Sequence, residues 1–121
     1  MTTNFIATTA NLVYTPELRS TPNGKLVTDL RLAVNFRVKA NGEWVDGDAT
    51  FYQLVLWEND AENAVASYNA GDRVLVAGQV HTESWEHEGV TRSKLVITDA
   101  EIGATTKFAT LAIAKNMKRQ P

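Results

Sequence analysis

Between Leu26 and Phe36 the chain alternates with a period of two. Leu26, Thr28, Leu30, Leu32, Val34 and Phe36 fall on one side, and Val27, Asp29, Arg31, Ala33, Asn35 and Arg37 on the other. A strand with one buried face produces that pattern, because successive side chains of a strand point to opposite faces. Ahead of it, Pro16-Glu17-Leu18-Arg19-Ser20-Thr21-Pro22-Asn23-Gly24 is rich in turn-forming residues and joins this strand to an earlier extended segment, Phe5 to Val13. Thr50 to Trp57 is a further strand, with Phe51, Gln53, Val55 and Trp57 on one side and Tyr52, Leu54 and Leu56 on the other. Both sides are apolar enough that periodicity alone does not orient it.

Asn59 and Glu62 have the spacing of a capping box, and Ala61, Ala64, Val65 and Tyr68 share a helical face before Gly71, so a short helix is expected here. Extended structure resumes from Arg73 to Trp85, with Val74, Val76, Gly78 and Val80 on one face and Gly78 marking a bend or bulge. Glu88-Gly89 turns the chain into a last strand, Thr91 to Ile102, which makes a hairpin. Asn41-Gly42 and Asp46-Gly47 fall in a polar connection expected as a longer loop, and Phe108 to Ala114 is a candidate extra strand. The expected fold is all-β with one short helix after the third strand, an order that fits a five-stranded Greek-key barrel of the oligonucleotide/oligosaccharide-binding (OB) type.

A chain of 121 residues with 44% hydrophobic content can bury one core, assigned to residues 1–104, followed by a basic extension, 105–121, that carries the candidate strand and then a disordered end. There is no cysteine, hence neither a disulfide framework nor a thiolate metal site. No apolar run approaches the roughly 20 residues of a membrane span, and Met1 to Ala10 lacks the basic start and apolar stretch of a secretory signal. A soluble, unexported, cytoplasmic protein is expected. The net charge of −2 is unevenly spread: −1 over residues 1–58, −5 over 59–104 and +4 over 105–121. A polyanion would need a local positive path on an acidic protein.

The chain resembles the bacterial-type single-stranded DNA-binding (SSB) family over roughly residues 4–103. Asn11-Leu12, Pro16-Glu17-Leu18-Arg19, Thr21-Pro22-Asn23-Gly24, Leu32-Ala33-Val34-Asn35, Ala61-Glu62, Gly71-Asp72-Arg73-Val74, Gly78, Trp85-Glu86, Gly89 and Arg92 carry the resemblance. It implies an OB fold, a homotetramer, sequence-tolerant binding of single-stranded DNA in replication, recombination or repair, and neither catalysis nor a cofactor. Phe51, Trp57 and Trp85 fall where that family stacks bases on aromatics, and Phe36 and Val38 lie near another such position, with Val38 at the aligned place. Every base has a π-face, so stacking rewards binding without selecting sequence.

Around these rings Arg31, Arg37, Lys39, Arg73, Arg92 and Lys94 are candidate phosphate contacts, with a solvated strand face as the plain alternative for any one of them. DNA is expected across the face carrying Phe51, Trp57 and Trp85, with Arg31, Arg37, Lys39 and Arg73 tracking phosphates. Arg19 reads as a structural partner within its turn, and Trp44 receives no role. Tyr52, Leu54 and Leu75 are core or interface positions that the sequence does not separate.

The sequence also departs from the family. His81 and Glu83 stand where many relatives are basic, Ala10 replaces a glycine and Thr15 an aspartate. The end, Lys115 to Pro121, is not the acidic tip through which the family recruits replication and repair proteins, so tail-mediated recruitment is not assumed, and such proteins stay candidate partners. Some relatives hook subunits together with an added strand, which Lys107 to Ala114 resembles. Glu58, Asp60 and Glu62 are better explained by helix capping than by a metal, and His81 and His87 lack ligand spacing. A second reading is an OB module serving assembly or replisome interaction with weak DNA binding. Affinity for single-stranded DNA separates the two.

Overall fold

The buried side of the alternating run is the even one. In a computed structural model describing residues 4–116, Thr28, Leu30 and Leu32 are fully enclosed within strand β3 (Leu26–Ala40). The other elements are β1 (Phe5–Leu12), β2 (Arg19–Ser20), β4 (Glu43–Trp57), helix α1 (Glu58–Ser67), β5 (Arg73–His87) and β6 (Val90–Ala104). Strand order in the sheet is β1-β5-β6-β4-β3-β2, and an additional pairing of β1 with β3 joins the ends into a barrel. Among the described residues only β4 and β6 run parallel, at Tyr52 to Leu54 against Leu95 to Ile97. Setting β6 between β4 and β5 makes the barrel the Greek key expected, with the two-residue β2 as an appendage.

Register orients β4. Leu54 lies opposite Leu30 and Leu56 opposite Thr28, and directly opposed residues share a face. Tyr52, Leu54 and Leu56 therefore point inward, leaving Phe51, Gln53, Val55 and Trp57 outside. Leu54 joins Ala10, Leu12, Leu30, Leu32, Val74, Val76 and Ile97 in the core, while Leu75 stays exposed. Thr28, the polar side chain in this interior, donates its hydroxyl to the Glu17 carbonyl at 2.8 Å, which satisfies it and pins the Pro-Glu-Leu-Arg segment to the barrel. Arg19 closes the same segment by an ion pair of 2.8 Å with Asp29. In the turn itself the Gly24 amide donates to the Thr21 carbonyl, and Gly24 takes φ +82°, a conformation glycine adopts without strain.

Helix α1 covers one end of the barrel with the predicted face: Ala61 and Ala64 are buried, Val65 and Tyr68 half-buried. It starts at Glu58, with Trp57 at the cap position making no side-chain cap bond, so the expected cap at Asn59 falls inside the first turn. The Glu58 carboxylate instead accepts the Leu26 amide at 2.9 Å, tying the helix to the start of β3. Tyr68 ends the helix and donates its hydroxyl to the Ile102 carbonyl at 3.4 Å. Burial, and then the neighbouring Asp72 carboxylate, raise its pKa above the ordinary tyrosine value. The folded chain thus holds this proton more tightly than the unfolded one. The associated stability is complete below about pH 10 and is lost as pH rises through the folded value. Tyr68→Phe should flatten that alkaline loss, read as a smaller gap between urea midpoints near about pH 8 and about pH 11.

Two expectations are corrected. The polar connection around Asn41-Gly42 is a two-residue hairpin turn, not a long loop: both residues have positive φ (52° and 82°), and the strands continue to Ala40 and from Glu43. The β3–β4 hairpin bends where the register shifts between Asn35 and Arg37. There a Cβ on Gly47 would come within 3.1 Å of both the Phe36 carbonyl oxygen and the Val38 side chain. Phe108 to Ala114 forms no strand in this chain. After β6 the chain lines one side of a cavity whose other walls include Ala33, Asn35 and α1, and Asn63 of that helix donates to Asn116 at 3.1 Å. Set across that cavity from β3, the segment forms no ladder with it. The basic end at Lys118 and Arg119 lies outside the described residues.

Candidate nucleic-acid interface

Because β4 and β6 run parallel, the residues before Tyr52 and those before Leu95 leave the barrel at the same end. The β3–β4 and β5–β6 hairpins are therefore two arms projecting from that end. Alternation then fixes what their outer faces carry. Gln53 is paired with Val96, so Phe51 and Lys94, two residues earlier on each strand, stand side by side outside. Lys94 is opposite Glu83, and Arg92 opposite Trp85. Arg31, opposite Gln53, completes a band across β3, β4, β6 and β5.

The rings along this band are neither core nor fully free: Phe51 is 41% exposed, Trp85 43%, Trp57 49% and Trp44 61%. Three of them carry a cation on the ring face. The Arg31 guanidinium lies 4.4 Å from the centre of Phe51, the Lys94 ammonium 5.6 Å from Trp85 and the Lys39 ammonium 6.0 Å from Trp44. An exposed contact of this kind contributes roughly 0.5–1 kcal/mol, less than the roughly 1–3 kcal/mol of a stacked base. A base can displace the cation, which then stands beside the phosphate that the base brings with it. Among the described residues no cation lies over Trp57.

The face thus unites Arg31, Phe51, Trp57, Trp85, Arg92 and Lys94. Lys39 and Arg37 extend it onto the β3–β4 arm opposite Trp44 and Asp46, although Arg37 is partly spent on a 3.6 Å contact with Asp46 and a 3.1 Å hydrogen bond to the Trp44 carbonyl. Trp44 is the residue that sequence reading missed. Pairing with Lys39 puts it on the band, a relation visible only once Asn41-Gly42 is read as a tight turn.

Two predicted residues are not brought to this face. Phe36 has the parity of the core positions, so where β3 leaves the barrel its ring emerges on the opposite side of the arm from Arg37 and Lys39. Arg73 is twelve residues before Trp85 on β5, roughly 40 Å along the strand. It pairs with Asn11 of β1 and lies 5.7 Å from the Phe108 ring, with its Nη1 atom buried and unpartnered. It stands apart from the cations of the band.

Besides Asp46 on the arm, Glu83 is a negative group on the band. Its carboxylate lies 3.4 Å from His81 Nε2 and 3.9 Å from Lys94 Nζ. Among the described residues, no group of three or more His, Cys, Asp or Glu side chains is placed to hold a metal ion, and no helix is long and apolar enough to cross a membrane.

The model of the single-strand binding protein family matches residues 3–105. The single-stranded DNA-binding protein of Mycobacterium tuberculosis (strain H37Rv) is 36% identical over 113 residues, covering 91% of this chain and 69% of the relative. Single-stranded DNA-binding protein 2 of Streptomyces coelicolor is 37% identical over 113 residues, covering 91% and 57% respectively. Among solved structures, the small single-stranded DNA-binding protein from Streptomyces coelicolor superposes with a TM-score of 0.75 at 32% identity, over 88% of this chain and 97% of that one. A Plasmodium falciparum SSB complex with ssDNA matches with a TM-score of 0.65 at 16% identity, over 87% and 96%, a likeness of fold.

Proposed function

The chain belongs to the single-strand binding protein family, and from that premise we propose that it binds single-stranded DNA, without catalysis, along the band that carries Phe51, Trp57 and Trp85. The observation that supports this placement is the alternation of ring and cation, with Arg31 on Phe51 and Lys94 on Trp85. Unpaired bases can stack on the rings while their phosphates meet the displaced cations. Duplex DNA, whose bases are already stacked and paired, has no faces to offer. The role is to hold and protect strands exposed in replication, recombination or repair, in the cytoplasm.

Tryptophan-fluorescence titration with oligo-dT tests the reading. Quenching is expected with oligo-dT and little with duplex, and log affinity should fall by roughly 0.7 per phosphate contact per log unit of salt. Absence of quenching at low salt and excess oligo-dT overturns DNA binding. It would favour the second reading, an assembly or replisome-interaction module, for which Glu83 on the band is the specific observation.

A homo-oligomer belongs to the same proposal. Strand β1 pairs with β5 from Phe5 to Asn11 but with β3 only at Asn11 and Leu12, leaving one edge from Phe5 to Ala10 without a strand partner among the described residues. An open edge is a template for another strand. Phe5 and Leu75 are exposed on the outer side of this strand pair, which suits burial against a second copy. Several barrels in one particle would raise avidity through effective concentration. The number four comes from the family resemblance, and light scattering of the purified protein measures it.

A further inference from the structure

Lys94 stands at a point defined by two groups at once: its ammonium is 5.6 Å from the centre of the Trp85 ring and 3.9 Å from the Glu83 carboxylate. Glu83 and Trp85 are two residues apart on β5, hence on the same face and about 7 Å from one another along the strand. A donor hovering over the ring therefore has a carboxylate at its side. His81, 3.4 Å from the other carboxylate oxygen, flanks Glu83 on the far side. A base that displaces Lys94 from the ring takes over this position, with its edge toward Glu83.

An ionised carboxylate only accepts hydrogen bonds. Cytosine and adenine present an exocyclic amino donor on the base edge, whereas thymine presents a carbonyl oxygen in the equivalent place. We propose that Glu83 and Trp85 form a base-reading subsite that prefers bases bearing an exocyclic amino group, cytosine foremost, over thymine. The Lys94 ammonium occupies the place of that amino group in the DNA-free chain. The inference rests on the DNA-binding reading above and adds a base preference to it. It also gives the acidic residue on the band a role other than repelling phosphate. Stacking supplies affinity for every base, and the carboxylate ranks the base at this one position.

The test compares oligo-dC with oligo-dT of equal length at fixed salt, for the wild-type protein and for Glu83→Ala and Glu83→Gln. Relative to wild type, Glu83→Ala should shift the dC:dT affinity ratio toward dT by about three- to tenfold, the size of one ordinary hydrogen bond, because the half-exposed carboxylate is screened by solvent. Glu83→Gln should shift it in the same direction, because an amide can also donate to the thymine carbonyl. If both oligomers bind more tightly in Glu83→Ala by the same factor, Glu83 acts only by repelling phosphate and the proposal fails. An unchanged ratio with unchanged affinities overturns it equally. Failure of the wild-type protein to bind either oligomer overturns the DNA-binding reading itself. Glu83 is half-exposed, so matching melting curves of the variants confirm that the fold is intact.

Discussion

Trp57→Ala combined with Trp85→Ala should lower affinity for oligo-dT by at least about thirtyfold while leaving the fold intact. Each stacked base contributes roughly 1–3 kcal/mol, so losing two platforms removes roughly 2–6 kcal/mol, and each 1.4 kcal/mol is about tenfold in affinity. Both rings are close to half exposed, so truncation opens no cavity in the core formed by Leu30, Leu54 and Ile97. Loss of binding without loss of melting temperature is therefore the expected signature.

Two single variants locate the face. Trp85→Ala should weaken binding more than Trp44→Ala, because Trp85 has Arg92 opposite it and Lys94 on its ring, whereas beside Trp44 the cation Arg37 is engaged by Asp46. Phe36→Ala should have little effect, since Phe36 emerges on the other side of that arm. If Phe36→Ala costs as much as Trp85→Ala, the DNA path has been put on the wrong side. The salt slope discriminates further: ring variants should lower affinity and leave the slope near its wild-type value, because slope counts phosphates.

The barrel was legible because its strands alternate cleanly where one side is core and the other is solvent. The run Leu26 to Phe36 gave β3 with the correct inward face, and Val74, Val76, Gly78 and Val80 gave that of β5. β4 was ambiguous for a physical reason: its outer positions hold Phe51, Val55 and Trp57, rings and branched chains kept outside for stacking rather than burial. Hydrophobicity alone does not distinguish such a ligand-facing side from a core-facing one, and only the pairing of Leu54 with Leu30 does. The β3–β4 arm was missed because its residues are exposed on both faces, which erases the alternation, whereas Glu88-Gly89 marked the β5–β6 hairpin. Arg73 was misplaced because parity reports the face of a residue but not its position around a closed barrel. Twelve residues along β5 separate the end at β1 and Phe108 from the Trp85 end.

Gly78→Ala is expected to lower the melting temperature by about 4–15 °C, and the reason lies in how β5 meets β6. Ala77 pairs with Glu101 and Gln79 with Thr98, so Asp99 and Ala100 face the single residue Gly78 across a bulge, with Asp99 at φ +49°. The bulge presses β6 onto β5. A Cβ on Gly78 would lie 2.6 Å from Ala100 Cβ, 2.9 Å from Ala100 Cα and 2.9 Å from Ile97 Cγ2. Two of those atoms belong to backbone or to the fully buried Ile97, so the strands themselves must part. Overpacking of this kind costs about 1–3 kcal/mol, and a domain of this size loses roughly 4–5 °C per kcal/mol. Adding Ala100→Gly should restore part of the loss, because it removes the nearest atom but not the other two. Gly103→Ala on the same β6 strand is the control, since an added Cβ there meets nothing within 4 Å. The effect should reach function as well: Gly78 lies where the β5–β6 arm leaves the barrel, and parting the strands at that point re-aims the arm that carries Trp85, Glu83 and Lys94. Gly78→Ala should therefore weaken oligo-dT binding at temperatures where it is still folded, and Gly103→Ala should not. Equal melting temperatures for the two variants would mean that the bulge yields without cost and does not set the angle of the arm.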